Sequence, residues 1–468
     1  MIIIIGAGLA GLSSSYHIGH QRCLVLERSG QAFGHIASDL DGGFTWDQGP
    51  HVSFSKNEYV RSLFADAVKG EYEEYSVKVG NYFNGHWIDH PAQTSLHQVP
   101  QPLRQQCLDS FLSVQSRAGG ACEPGAPANY MEWLEQALGP TFANTFPAAY
   151  TRKYWTVDPK ELGTDWVGQR MLRPNAQDVI EGSLRALKKA THYIDKVRYP
   201  KKGGYQSFAR NLAQGCNIRY GSEVVSIDLK SKRVYLASGE IILFDMLVNT
   251  MPLPSFIHVC QDVPASVRDA ALALSCSQLA LINVAVPHET LRPENWIYVY
   301  DEDKLSTRIN FTEKLTPGNA PPGWSGVQTE VYFSRHRPLA VPVGDLAGEV
   351  YSELCEMGLV SPKDFGSDSF SPTIHTRFVP WANVIFNHET PQALEVIWRW
   401  LESYGLARQP DDTHPLTDWA ASELAPAAGS LHGELFMAGR FGQWKYFWSD
   451  DCVLRGRELG RSLREAGN

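Results

Sequence analysis

An apolar, largely β-branched run, Met1-Ile-Ile-Ile-Ile5, leads straight into Gly6-Ala-Gly-Leu-Ala-Gly11, and this junction constrains the fold more than any other stretch. Such a run suits a strand buried in a parallel sheet, and the glycines break it into a helix. In Gly6-x-Gly8-x-x-Gly11 the first glycine permits a tight turn, the second lets backbone approach a pyrophosphate, and the third lets helix pack on strand. The helix start, with Leu9 and Ala10 in its first turn, offers free N–H groups and the positive dipole end to an anion. Residues 23–27 read as the second strand. Glu27, sixteen residues past Gly11, stands where a carboxylate accepts hydrogen bonds from an adenosine ribose. Strand, turn, helix, strand and acid in that order predict an α/β, Rossmann-like dinucleotide-binding domain.

At 468 residues the chain has room for two or three structural units and for enclosing a large cofactor. Its net charge of -9 offers no broad basic surface, so no nucleic-acid partner is expected, although local arginines can still clamp a small phosphate ligand. Eight cysteines lie far apart, without the close pairs of a zinc or dithiol centre. They read as reduced structural thiols, and no metal site is expected. No basic segment precedes the apolar start, and glycines interrupt it long before it could cross a bilayer. The expectation is a cytoplasmic protein without a transmembrane segment. The sequence leaves the oligomeric state open, a homo-oligomer included.

Residues 118–128 are rich in Gly, Ala and Pro and read as an exposed loop. From 129 to 169 apolar residues recur at helical spacing, as in Met131, Trp133, Leu134, Leu138 and Phe142. Strand-like runs follow at 223–229, 243–249, 280–286 and 327–333, and 434–438 leads into another glycine-rich turn. The expected organisation is a discontinuous cofactor domain (1–75, 200–255 and 410–468), a mainly helical substrate domain (76–199) and an antiparallel-sheet substrate domain (256–409).

Glu27-Arg28 followed by a loop at Gly34 resembles the flavoprotein group of amine oxidases, phytoene desaturases and nucleotide-sugar mutases. That group usually has Gly-Gly there, whereas this chain has Gly34-His35. Tyr199-Pro-Lys-Lys-Gly-Gly204 resembles the group's turn near the flavin, and Glu223-Val224-Val225 the strand that meets adenine through its backbone. The resemblance implies FAD as the cofactor.

Gly439-Arg-Phe-Gly-Gln-Trp-Lys-Tyr446 resembles the C-terminal segment of UDP-galactopyranose mutases, closest in pattern to the longer eukaryotic-type ones. Gly49-Pro-His51 with Phe54-Ser55 resembles their flavin-adjacent histidine loop, and Trp87-Ile88, Pro91 and Gln93 their nucleotide-contacting segment. Trp155, Trp166-Val-Gly-Gln-Arg170, Trp296-Ile-Tyr298 and Arg308 then match in order. The resemblance implies that Gly6, Gly8, Leu9, Ala10, Gly11, Glu27, Arg28, Gly34, His35, Gly49, His51, Val224, Gly439, Arg440 and Asp451 hold FAD. It implies that Gln93, Trp155, Trp166, Arg170, Tyr298, Arg308, Tyr446 and Asp450 bind a nucleotide sugar. His51, Arg170 and Arg308 are the implied catalytic set. The implied reaction is a redox-neutral pyranose/furanose ring contraction in which N5 of reduced FAD attacks the anomeric carbon while the arginines hold the leaving diphosphate. No second dinucleotide fingerprint is present, so NAD(P)H would visit only transiently as reductant.

Three segments depart from the mutase pattern. His90-Pro91-Ala92-Gln93 lacks a large ring of the family's Tyr-Pro-Phe-Gln string, and Thr151 replaces a uracil-holding asparagine. Asp450 replaces an asparagine at the diphosphate, where a carboxylate is repulsive unless protonated, paired with Lys445 or Arg440, or turned away. An amine-oxidase-like FAD oxidase or dehydrogenase, and a noncatalytic flavin- or nucleotide-binding module, remain open beside the mutase.

Overall fold

The computed structural model describes residues 1–118, 125–168, 171, 173–187, 196–361, 373–409, 411–412, 414–419 and 433–465. The N-terminal run forms the central strand Ile2–Ile5 of a five-stranded parallel sheet, in the order Leu435–Met437, Met246–Asn249, Ile2–Ile5, Cys23–Leu26, Ile218–Arg219. Ile2 lies in register with both Cys23 and Met246. Ile3 and Ile4 point to opposite faces and are both fully buried, as a central parallel strand requires.

On one face the helix Leu9–Ile18 packs on the final helix Ser449–Glu465. Two glycines one helical turn apart make the approach possible. A Cβ on Gly456 would stand 2.3 Å from Ser13 Oγ, and one on Gly460 2.4 Å from His17 Cβ. The Ser13 hydroxyl donates to the Val453 carbonyl at 2.8 Å across this contact. The C-terminus is thereby bound to the helix that the glycine turn begins.

A seven-stranded sheet runs in the order Ile374–Ile385, Ser275–Val286, Ser325–Phe333, Arg308–Phe311, Trp296–Val299, Val79–Phe83, His86–Asp89. The hairpin Val79–Asp89, expected in the helical unit 76–199, joins this sheet instead, because Val79–Phe83 pairs parallel with Trp296–Val299. Its turn, Asn84-Gly85, has positive φ at both residues (47° and 78°), the geometry that matches a two-residue hairpin to strand twist. A smaller antiparallel meander, Val224–Asp228, Arg233–Leu236 and Ile241–Leu243, lies beside the parallel sheet.

Helices Leu103–Ala118, Tyr130–Leu138 and Ala176–Leu184 form the helical unit. Asn129 caps the second by accepting from Glu132 N–H at 3.0 Å. A further run passes from Pro140–Ala143 through a π turn, Asn144–Ala148, into Ala149–Tyr154. Pro147, which has no N–H to give the helix, sits in the widened turn, and the Thr151 hydroxyl donates to its carbonyl at 2.7 Å. Pro147, Tyr150, Thr151 and Tyr154 all border the central cavity.

Candidate active site

A cavity of about 1010 Å³ runs from the glycine turn to the seven-stranded sheet. At its first end the glycines bring backbone close to backbone. Gly6 has φ +101°, and a Cβ there would meet Thr250 Oγ1 at 2.5 Å; one on Gly11 would meet the Gly6 carbonyl at 2.0 Å. Gly11 therefore packs behind the turn, while Gly6, Gly8, Leu9 and Ala10 face the cavity. Gly8 begins the helix without a side-chain cap or an acidic residue in the first turn, which leaves the helix N-terminus to an anion. Glu27 borders the same space, its carboxylate accepting from Ala7 N–H at 2.8 Å and Ser29 N–H at 2.9 Å.

Gly34 closes over this turn: a Cβ on it would lie 3.0 Å from the Gly8 Cα. Phe33 N–H donates to the Ala7 carbonyl at 2.8 Å, so the His35 substitution leaves the loop beside the phosphate turn. Gly439 approaches from the C-terminal segment, with no room for a Cβ, which would stand 2.7 Å from Ala10 Cβ. Arg28, His35, Val224 and Arg440 complete this limb. The side-chain-free cradle at a helix N-terminus, with a carboxylate at the ribose position, fits FAD.

Gly49 turns with φ +91° directly over Glu330, whose Oε1 would be 2.7 Å from a Cβ there. His51 Nδ1 lies 2.9 Å from the Gly49 carbonyl. A carbonyl only accepts, so Nδ1 carries the proton and Nε2 keeps its lone pair. Desolvation, then Arg308 and Arg440, outweigh that hydrogen bond and push the His51 pKa down to about 3, so the ring is neutral near pH 7. Asp47 fixes the same turn from behind. Its buried carboxylate accepts from Ser38 Oγ (2.5 Å), Tyr199 O–H (2.7 Å) and Tyr205 N–H (3.1 Å), tying the hairpin to the 199–204 turn. Burial nevertheless raises its pKa to about 6. A lone aspartate in a short hairpin gives no sequence signal for such a role.

On the sheet, Arg308 and Glu330 are cross-strand neighbours. They form a two-pronged ion pair, Nε to Oε2 at 2.6 Å and Nη2 to Oε1 at 2.7 Å, with the Glu330 side chain 1% exposed and Arg308 19%. Glu330 also accepts from Tyr332 O–H at 3.2 Å. Arg308 Nη1 makes no hydrogen bond among the described residues and remains for a ligand anion. Glu330 was not legible in the sequence, because its partnership with Arg308 exists only once the two strands pair.

Trp155, Trp166 and Tyr446 gather at one wall, with ring centroids 5.0, 5.6 and 5.9 Å apart. Tyr298 packs edge-on to Tyr150 at 5.2 Å. Gln93, Tyr150 and Trp296 border the cavity, and their atoms Gln93 Oε1, Tyr150 O–H and Trp296 Nε1 are buried without a partner among the described residues.

Other expected positions fall elsewhere. Neither Asp450 nor Asp451 borders the cavity. Asp451 instead accepts from Trp419 Nε1–H and Trp448 N–H, both at 2.7 Å, at the start of the final helix, where a carboxylate satisfies donors and suits the dipole. Asp450 shares that first turn, where its carboxylate accepts from Asp451 N–H at 3.1 Å. Lys445 donates to the His414 carbonyl at 2.6 Å and lies 3.1 Å from the Asp411 carboxylate, and Arg440 donates to the Phe447 carbonyl at 2.6 Å. Ala92 is buried outside the cavity wall, so the missing ring does not enlarge the cavity there. Arg170 lies outside the described residues.

Among the described residues there is no helix long and apolar enough to cross a membrane, and no group of three or more His, Cys, Asp or Glu able to hold a metal ion.

A sequence family described as flavin containing amine oxidoreductase matches residues 9–396. Protoporphyrinogen oxidase 1, chloroplastic, of Arabidopsis thaliana is 22% identical over 370 residues, covering 69% of this chain and 67% of that protein. Among solved structures, reduced UDP-galactopyranose mutase superposes with a TM-score of 0.83 at 22% identity, covering 99% of this chain and 95% of the other. A CLA-producing fatty acid isomerase from P. acnes superposes with a TM-score of 0.60 at 12% identity, covering 98% and 97%. The same architecture thus serves enzymes named as oxidases and as isomerases.

Proposed function

The chain belongs to the flavin-containing amine oxidoreductase family, and from that premise we propose that it is an FAD-dependent nucleotide-sugar mutase interconverting pyranose and furanose forms. The observation that carries this reading is the half-committed Arg308, fixed by Glu330 with Nη1 left over, in a cavity limb walled by tyrosines and indoles. A sugar nucleotide needs a cation and hydroxyl donors for its diphosphate and flat apolar surface for its base. Arg308 supplies the first, Tyr150, Tyr298 and Tyr446 the second, and Trp155 with Trp166 the third. Arg170 would add a further cation, following the mutase-like motif that contains it.

FAD in its reduced state supplies the nucleophilic nitrogen for the anomeric carbon, and NAD(P)H visiting transiently is the proposed reductant. The protein's part is to hold the departing diphosphate. Glu330 keeps the guanidinium in one orientation, so its remaining N–H groups meet charge growing on the phosphate oxygens without reorganisation. His51, neutral and fixed by the Gly49 carbonyl, presents an acceptor rather than a charge. The aromatic walls exclude water that would hydrolyse a sugar detached from its nucleotide. A cytoplasmic location is part of the proposal.

Incubating dithionite-reduced protein with UDP-, GDP-, CDP- and dTDP-sugars tests the reading. Appearance of a ring isomer supports it, and no isomer from any of them sinks it. One observation favours a second reading, an amine-oxidase-like oxidase or dehydrogenase: Glu330 neutralises Arg308, so this pair adds no net positive charge to the site. Substrate-dependent flavin reduction with release of hydrogen peroxide would select that alternative.

A further inference from the structure

We propose that His35 contacts the FAD diphosphate directly, a titratable side chain where the resembling flavoproteins carry glycine, and that it takes up a proton as the cofactor binds. The inference rests on the flavin assignment and not on the mutase reading.

Placement is the first support. Gly34 is seated against Gly8, the residue that opens the phosphate-facing helix, and His35 follows it along the same cavity wall. Its ring lies 5.5 Å from that of Phe441 at an interplanar angle of 39°, so it is held at the wall rather than trailing into solvent. The imidazole is solvent-accessible, and neither ring nitrogen has a hydrogen bond among the described residues. An unengaged donor beside an anion-binding turn is placed to serve the anion.

Charge is the second. His35 faces Arg28 from the loop after the second strand, Arg440 from the C-terminal turn, Arg377 from the strand Ile374–Ile385 and His51 from the Gly49 turn. Arg377 is paired with Asp39, and the Arg440 Nε donates to the Phe447 carbonyl. Without cofactor, partial desolvation at the cavity wall and then these guanidinium groups lower the imidazole pKa. A diphosphate at the helix start opposes the arginines' field and gives the ring an acceptor, and both effects favour the protonated form. Binding linkage then requires FAD to bind more tightly at low pH, with the advantage lost as pH rises through the cofactor-bound value.

The test is calorimetric titration of FAD into deflavinated full-length protein from pH 5 to pH 8, in buffers of different ionisation enthalpy, for wild type, His35→Gly and His35→Gln. For wild type the expected result is net proton uptake and an affinity that falls by up to about tenfold per pH unit within the window. Both variants should be flatter and take up fewer protons; the glutamine variant, which keeps a polar side chain, covers the case in which glycine loosens the loop. Equal slopes and equal proton uptake in all three proteins would overturn the proposal, as would a wild-type protein that binds no FAD.

Discussion

The two limbs of the cavity are built by different means. Around Gly6, Gly8, Gly34 and Gly439 the wall is backbone, and its shape depends on atoms that are missing. At the seven-stranded sheet the wall is side chain, and its chemistry depends on pairs such as Arg308 with Glu330 that strand register brings together. The first kind of site tolerates no added atom, whereas the second tolerates substitution at the expense of a particular interaction. A cofactor limb and a substrate limb that fail independently are what this construction predicts.

Gly11→Val should give the largest effect and break the cofactor limb alone. Even a first added carbon would stand 2.0 Å from the Gly6 carbonyl, so the turn must move, and flavin absorbance should be lost from the purified protein. Glu330→Ala should come next by leaving Arg308 desolvated and unpaired, a loss of about 3–5 kcal/mol in denaturant unfolding. Arg308→Lys should keep the flavin but lower kcat/KM for the nucleotide sugar by about a hundredfold, since an ammonium cannot hold the fork and the leaving group together. A parallel loss of flavin would contradict the independence of the limbs.

Asp47 gives a smaller, pH-dependent prediction at the junction of the limbs. Its carboxyl pKa is raised from 3.8 to about 6, so the folded state favours the protonated form. That contribution is fully present below the unfolded value and disappears as pH rises through about 6, an effect of about 3 kcal/mol between the limits. Asp47→Asn should therefore flatten the dependence of unfolding free energy on pH between 4 and 7. The smallest effect is expected at the cap of the helix Tyr130–Leu138: Asn129→Ala removes one hydrogen bond and should cost about 1 kcal/mol in denaturant unfolding.

The contrast between the limbs also explains what the sequence could reveal. The parallel sheet and its glycine turn are legible because strand, turn, helix and acid follow one another within 27 residues. Trp155, Trp166, Tyr298, Arg308 and Tyr446 are found through motif resemblance, and the fold brings them to one cavity. Glu330 and Asp47 carry no local signature, since each acts across strands or between a hairpin and a distant turn. Asp450 and Asp451 both follow a flavin-like motif and open the final helix, where Asp451 accepts from two N–H donors. Asn84-Gly85 is a hairpin signal that local sequence does carry, since both residues accept positive φ.

The central claim is that the sheet limb holds a diphosphate while its bond to a sugar is broken and remade. Positional isotope exchange measures this directly: a nucleotide sugar carrying 18O in the anomeric bridge is incubated with reduced protein and followed by phosphorus NMR. The account predicts label moving from the bridging to the non-bridging position, with the movement lost in Arg308→Ala while flavin is retained. Label that stays in the bridge for every nucleotide sugar tried, with the flavin fully reduced, would contradict it.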